Sequence, residues 1–262
     1  MKFGVIGYGK MGSAIVKALL DKNLVTKKDL LIYDTYAPTC EKIGESGIEV
    51  AKSLQQVFDE SVVVLFSVKP QELDNVFGKI ECDKVLNIIT IMAGVKINRF
   101  SAKFKNAKIA RVMPNTCATI GLSASSLCFS ANCEQKDKAL FYEIISSFGS
   151  VSIIDESLMD EVIPLAGSFT AYAYYYAKAF IDSAVSRGVP VNVATKLVTD
   201  SMIGSAEMIK QSGKDLDTLI SDVCSKGGTT LAGLDKLKQA KVDVAVDECC
   251  KACSERSREL GK

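Results

Sequence analysis

The 262-residue chain contains no histidine. That removes the side chain most often used for proton transfer near neutral pH, and it takes away a usual donor for zinc. Net charge is missing as well: 32 Lys and Arg stand against 31 Asp and Glu. No global field therefore draws the chain to nucleic acid or to an anionic membrane. Long apolar runs are also absent. The longest uncharged stretch, Val162 to Ala177, contains Pro164, Gly167, Ser168 and Thr170 and is too short to span a bilayer comfortably, so it reads as the start of a buried helix. The amino-terminal segment lacks the apolar core and small-residue cleavage site of a secretion signal. Low-complexity segments, internal repeats and flexible linkers are not evident. These absences point to a cytoplasmic protein whose partner is a small molecule, with neither nucleic acid nor membrane expected.

Cysteine, by contrast, is plentiful. Nine cysteines without a secretion signal fit a reducing compartment, where they act as small apolar groups with free thiols. Cys249 and Cys253 would share a helix face, but without histidine or a paired cysteine motif, core packing is the better reading and no metal is expected.

From Lys2 to about Ile154, short β-branched runs alternate with helical patterns. Strands are expected at Lys2–Ile6, Leu30–Asp34, Ile48–Ala51, Val62–Ser67, Val85–Ile91, Ile109–Met113, Ala124–Ser130 and Val151–Ile154. Several are almost continuously apolar, as strands buried on both faces must be. Such alternation predicts an α/β fold, a Rossmann-type doubly wound and mostly parallel sheet. After Asp155 the pattern becomes helical, over Met159–Arg187, Val191–Lys210 and Leu231 to the C-terminus. Two domains follow, 1–157 for a dinucleotide and 158–262 all-helical for substrate and dimerisation. Tyr172, Tyr174, Tyr175 and Tyr176 make the first of these helices too apolar for solvent, which predicts a subunit interface.

The first strand runs directly into Gly7, Tyr8, Gly9, Lys10, Met11 and Gly12. In such a turn the first glycine permits the tight bend, the second lets a pyrophosphate approach the backbone, and the third lets the helix pack against the sheet. The helix N-terminus then holds the phosphates. Asp34 follows 22 residues after Gly12, near the position of a ribose-binding acid. It accepts hydrogen bonds from a ribose 2′-hydroxyl and repels a 2′-phosphate, so NADH is expected to be preferred over NADPH.

Three further segments sit where ligands bind. Ser67-Val68-Lys69-Pro70 closes a strand, with Lys69 either facing the cofactor or lying on the surface ahead of a helix-starting proline. Arg111 to Thr116 closes another, where Pro114 stiffens the exit and Asn115 and Thr116 either present polar groups over the cleft or form a plain turn. Ser225-Lys226-Gly227-Gly228-Thr229-Thr230 precedes a helix, and its amides and hydroxyls make either an anion site suited to a carboxylate or an ordinary capped helix.

Together with Ala93-Gly94-Val95 and Gly204-Ser205-Ala206, these motifs resemble the pyrroline-5-carboxylate reductase family in order and spacing along nearly the whole chain. The resemblance implies reduction of the cyclic imine 1-pyrroline-5-carboxylate to L-proline, the last step of proline biosynthesis, by hydride from NADH or NADPH. It implies cofactor contacts at Ile6, Gly7, Tyr8, Gly9, Lys10, Met11, Gly12, Asp34, Ser67, Val68, Lys69, Pro70, Met92, Ala93, Gly94 and Asn115. Thr230 would hydrogen-bond the imine nitrogen, with Ser225, Gly227, Gly228 and Thr229 around the carboxylate. It further implies a homodimer through the helical domain, or a higher homo-oligomer. Phe169, Thr170 and Lys226 depart from the family pattern and leave the imine less fixed than the reaction class. Two other readings stand beside it. In a β-hydroxyacid dehydrogenase Lys178 would be catalytic with Asp182 one turn on, and a non-catalytic relative would bind cofactor alone.

Overall fold

Strand and helix alternate between Lys2 and Ile153 in the computed structural model, which describes residues 2–261. The order is β1 (Lys2–Ile6), α1 (Lys10–Asp21), β2 (Leu30–Tyr33), α2 (Ala37–Glu45), β3 (Glu49–Val50), α3 (Leu54–Glu60), β4 (Ser61–Phe66), α4 (Leu73–Phe77), β5 (Asn87–Thr90), α5 (Ile97–Lys103), β6 (Lys108–Met113), β7 (Ser123–Phe129), α6 (Gln135–Ser146) and β8 (Gly149–Ile153). One sheet contains all eight strands in the order β3-β2-β1-β4-β5-β6-β7-β8. Only the β6–β7 pair is antiparallel.

The apolar runs explain both layers. Leu31, Val64, Phe66, Ile88 and Ile109 face one way, onto Phe58 of α3 and Phe100 of α5. Val5, Leu30, Ile32, Leu65 and Val112 face the other, onto Ile15 and Leu19 of α1 and Phe141 of α6. Parallel strands need such cover on both faces. Because β2 and β4 flank β1 on opposite sides, strand order reverses there, and a crevice opens at the carboxyl end of β1.

Helices α7 (Phe169–Val185), α8 (Val191–Gln211), α9 (Leu216–Val223), α10 (Thr229–Gln239) and α11 (Val242–Leu260) complete the chain. Two boundaries differ from the sequence reading. The first long helix begins at Phe169, not Met159. Pro164 and Gly167 interrupt the segment before it, and Met159, Ile163 and Ala166 pack into the sheet's core instead. The final helix is two helices, separated at Lys241, whose φ is 55°. Helix α9 was not foreseen, although Leu216, Leu219, Ile220 and Val223 recur at helical spacing and the Asp215 side chain caps it through the Thr218 N–H at 2.8 Å.

The chain divides into two compact units. One runs to Thr170 and resumes at Ala252, and the other is Ala171–Lys251. The first unit thus extends beyond residue 157. Met159 and Ile163 are core residues, and Ser254 and Ser257 of α11 are buried in the same unit. All nine cysteines are free thiols. Burial pushes the Cys128 thiol up to about 12, which suits packing and not reactivity. Among the described residues no helix is long and apolar enough to cross a membrane.

Candidate active site

The turn after β1 separates glycines that the fold requires from one that it does not. Gly7 has φ +90°, and a Cβ there would lie 2.7 Å from the Ser67 carbonyl oxygen; its N–H donates to the Tyr33 carbonyl at 2.9 Å. Gly12 lies in the first turn of α1, where a Cβ would come within 2.4 Å of the Gly7 oxygen. Both are explained by helix and sheet lying close. Gly9 is different. It is the N-cap of α1 with no side-chain cap, and a Cβ there would meet nothing within 4 Å.

An empty space beside an uncapped helix start fits a ligand whose oxygens accept from the first-turn N–H groups, which have no acceptor within the helix. Their positive end favours an anion. A dinucleotide's pyrophosphate meets each of these requirements. Lys10 is exposed, Met11 is half-buried, and Ile6 is buried at the strand end. Tyr8 is half-buried, and burial raises its phenol above the ordinary tyrosine range.

Asp34, just past β2, is fixed by two backbone donors: the Tyr8 N–H at 2.6 Å and the Tyr36 N–H at 2.9 Å. One carboxylate therefore ties the glycine turn to the following loop. Beside it opens a cavity of about 230 Å³, lined by Ile6, Gly7, Asp34 and Val68, and also by Asn75 and Lys79. The sequence reading missed these last two. Their signal is spacing: Glu72, Asn75, Val76 and Lys79 recur at i, i+3, i+4 and i+7 directly after Pro70, and all four line the cavity.

The remaining expected cofactor residues divide between edge and interior. The Ser67 N–H donates to the Ile6 carbonyl at 2.8 Å, continuing the β1–β4 ladder, and Lys69 is exposed ahead of Pro70. Met92 is buried, and Ala93 packs against the same core. Gly94 has φ +76°, and a Cβ there would fall 2.1 Å from the Ser257 carbonyl of α11, so packing within the protein already demands this glycine. Asn115 is buried. Its Oδ1 accepts from the Cys117 N–H and its Nδ2 donates to the Ala166 carbonyl, both at 3.1 Å. It serves as a bracket between two loops.

In the second unit, Ser225 to Thr230 form the entry to α10. Gly227 has φ +73°, and a Cβ on Gly228 would lie 2.4 Å from Ser225 Oγ. The Gly228 N–H donates to the Ser225 carbonyl at 2.9 Å, which folds the segment into a turn. Ser225, Lys226, Thr229 and Thr230 are exposed. Amides of the first helical turn and two adjacent hydroxyls thus share one helix start, an arrangement able to hold a carboxylate. Thr230 also borders an open, mainly apolar groove of about 700 Å³, with Gly204 and Met208 of α8 and Ile220 of α9. Lys178 and Asp182 form an exposed ion pair one turn apart, as ordinary surface helix residues do. Among the described residues, no group of three or more Cys, Asp or Glu gathers as a metal ion requires.

Known proteins match both halves. Residues 156–260 match the family model for pyrroline-5-carboxylate reductase dimerisation, and residues 2–94 match that for NADP oxidoreductase, coenzyme F420-dependent. The pyrroline-5-carboxylate reductase of Methanosarcina acetivorans is 33% identical over 100% of this chain and 98% of its own. A crystal structure of the Streptococcus pyogenes 1-pyrroline-5-carboxylate reductase is 31% identical, with TM-score 0.91 over 99% of this chain and 98% of that one. The Plasmodium falciparum pyrroline carboxylate reductase, solved with NADP bound, is 26% identical with TM-score 0.90 over 100% and 98%. With a glycine turn shaped for a dinucleotide and a full-length match of this kind, the chain belongs to the pyrroline-5-carboxylate reductase family.

Proposed function

We propose that the chain reduces 1-pyrroline-5-carboxylate to L-proline, holding NADH or NADPH at the turn between β1 and α1 and the substrate's carboxylate at the start of α10. The observation that carries this reading is the α10 entry, where two glycines and three hydroxyl side chains surround an uncapped helix N-terminus. When bound, the reduced nicotinamide supplies the hydride for the C=N bond. The chain's residues orient and neutralise. The Gly228 N–H is taken by the Ser225 carbonyl, so the Thr229 N–H of the first helical turn and the Ser225 hydroxyl hold the carboxylate, and the Thr230 hydroxyl hydrogen-bonds the ring nitrogen. A protonated imine is already a good hydride acceptor, so no histidine is needed and orientation is the main task. Phe169, Thr170 and Lys226 tune which imine fits.

The second unit also supports assembly as a homodimer. Helix α7 buries none of its residues, and Tyr174 and Tyr175 are 64% and 74% exposed, far more than such large apolar rings favour in solvent. A second copy covering α7 and the groove beside Thr230 satisfies both. The nine free thiols accord with a cytoplasmic setting.

Asp34 sets the cofactor preference. Two backbone N–H bonds fix its carboxylate at the cavity wall, and a ribose bound there is read as donating its 2′-hydroxyl to it, whereas a 2′-phosphate is repelled. Lys79 lines the same cavity and moderates this repulsion without removing it. An assay following cofactor oxidation with 1-pyrroline-5-carboxylate, run with NADH and NADPH in parallel, is expected to show turnover with both and higher kcat/KM for NADH. Asp34→Ser is expected to raise the NADPH/NADH ratio by about tenfold, roughly 1.4 kcal/mol. Absence of imine turnover contradicts the function, and wild-type preference for NADPH contradicts the role of Asp34.

A further inference from the structure

We propose that Arg111 is a positioning residue for the cofactor, fixing the loop between β5 and α5 through two acidic side chains. The proposal rests on the reading that this loop, Met92 to Val95, meets the dinucleotide. Arg111 stands on β6 opposite Thr90, the last residue of β5 before the loop, and it is 1% exposed. Its Nη1 donates to Glu156 Oε1 at 3.4 Å and its Nη2 to Asp160 Oδ1 at 3.1 Å.

Each carboxylate continues to one end of the loop. Glu156 Oε1 accepts the Ile97 N–H at 2.7 Å, and so caps α5 from a distant segment, where Lys96 offers no side-chain cap of its own. Asp160 Oδ1 accepts from Ser257 Oγ at 2.7 Å. Ser257 in turn presses its carbonyl oxygen against Gly94, where even a Cβ would come within 2.1 Å. Gly94 and Ile97 are thus both braced by groups that converge on one guanidinium.

A charged fork is an expensive way to fill a core. A buried ion pair often adds no more stability than apolar side chains of equal volume, so its retention is better explained by geometry. Arginine suits that purpose, because its planar donors reach two acceptors at fixed angles. Lysine, a single point charge, cannot hold both carboxylates in the same way.

The test compares wild type with Glu156→Ala, Arg111→Met and Arg111→Lys. Dissociation constants for NADH are measured by fluorescence titration, beside steady-state kinetics and thermal melting. Glu156→Ala and Arg111→Met are expected to raise the NADH Kd and KM by about tenfold while kcat stays within about twofold, since a displaced loop weakens cofactor placement before it alters the chemistry. Arg111→Lys should fall between wild type and Arg111→Met. A purely structural role would lower the active fraction, and hence apparent kcat, with KM unchanged. Folded variants showing that pattern, or unchanged Kd, overturn the proposal. Should Arg111→Met fail to fold, Glu156→Ala decides alone, its partly exposed side chain being removable without a buried gap. Wild-type protein unable to bind either NADH or NADPH would overturn the functional reading itself and this proposal with it. Wild-type binding with unaffected variants overturns the positioning role alone.

Discussion

Gly12→Ala is expected to weaken NADH and NADPH binding by about 10²-fold and to lower the melting temperature as well. The new Cβ would lie 2.4 Å from the Gly7 carbonyl oxygen and 3.1 Å from Ser67 Oγ. The first of these atoms belongs to the backbone, so no rotamer change relieves the overlap. Helix α1 must move off the sheet, carrying its first-turn N–H donors from the place where they converge. Overpacking of this sort costs about 1–3 kcal/mol, enough for roughly a tenfold to hundredfold loss of affinity. Gly9→Ala provides the contrast. Its Cβ meets nothing of the protein within 4 Å, so stability should hold while cofactor affinity still falls. Thermal melting and NADH titration on the two variants separate these effects. Full NADH affinity in Gly9→Ala would show that the space beside α1 is not where the pyrophosphate lies.

Thr230→Ala is expected to reduce kcat/KM for the imine by about 10- to 100-fold, the range for losing one hydrogen bond to a charged group. The fold should not suffer. Thr230 is exposed in the first turn of α10, where alanine has the higher helix propensity. Thr230→Ser retains the hydroxyl and should recover most of the activity. Ser225→Ala should act differently, raising the substrate KM more than it lowers kcat, because it removes a contact to the carboxylate and not to the reacting bond. Steady-state kinetics at saturating NADH distinguishes the two patterns. Undiminished turnover and substrate affinity in Thr230→Ala would refute its assigned role.

What could be read from the sequence follows from the range of the interactions involved. The glycine turn and Asp34 were legible because their constraints are local in register: a tight bend, a close helix, and an acid at the end of the next strand. The parallel strands were legible from their unbroken apolar runs. Direction was not legible for β7, because an antiparallel neighbour is chosen by its partner and not by its own composition. The segment before Phe169 was misread because Met159, Ile163 and Ala166 repeat at helical spacing, yet that spacing serves core packing around Pro164 and Gly167. For Asn115 and Gly94 the motifs gave no sign of the packing each also serves. Their decisive partners, Ala166 and Ser257, lie far along the chain. Arg111 shows the same limit most clearly, since Glu156 and Asp160 are 45 and 49 positions away.

The most direct test is a crystal structure of the assembled enzyme with oxidised cofactor and L-proline. The expected result places the pyrophosphate beside Gly9, the proline carboxylate on the Thr229 N–H and the Ser225 hydroxyl, the ring nitrogen within hydrogen-bond reach of Thr230 Oγ1, and the nicotinamide against Cδ, the ring carbon that receives the hydride. Proline bound away from the α10 entry, or an α10 entry remote from the nicotinamide in every pairing of subunits, would contradict the account.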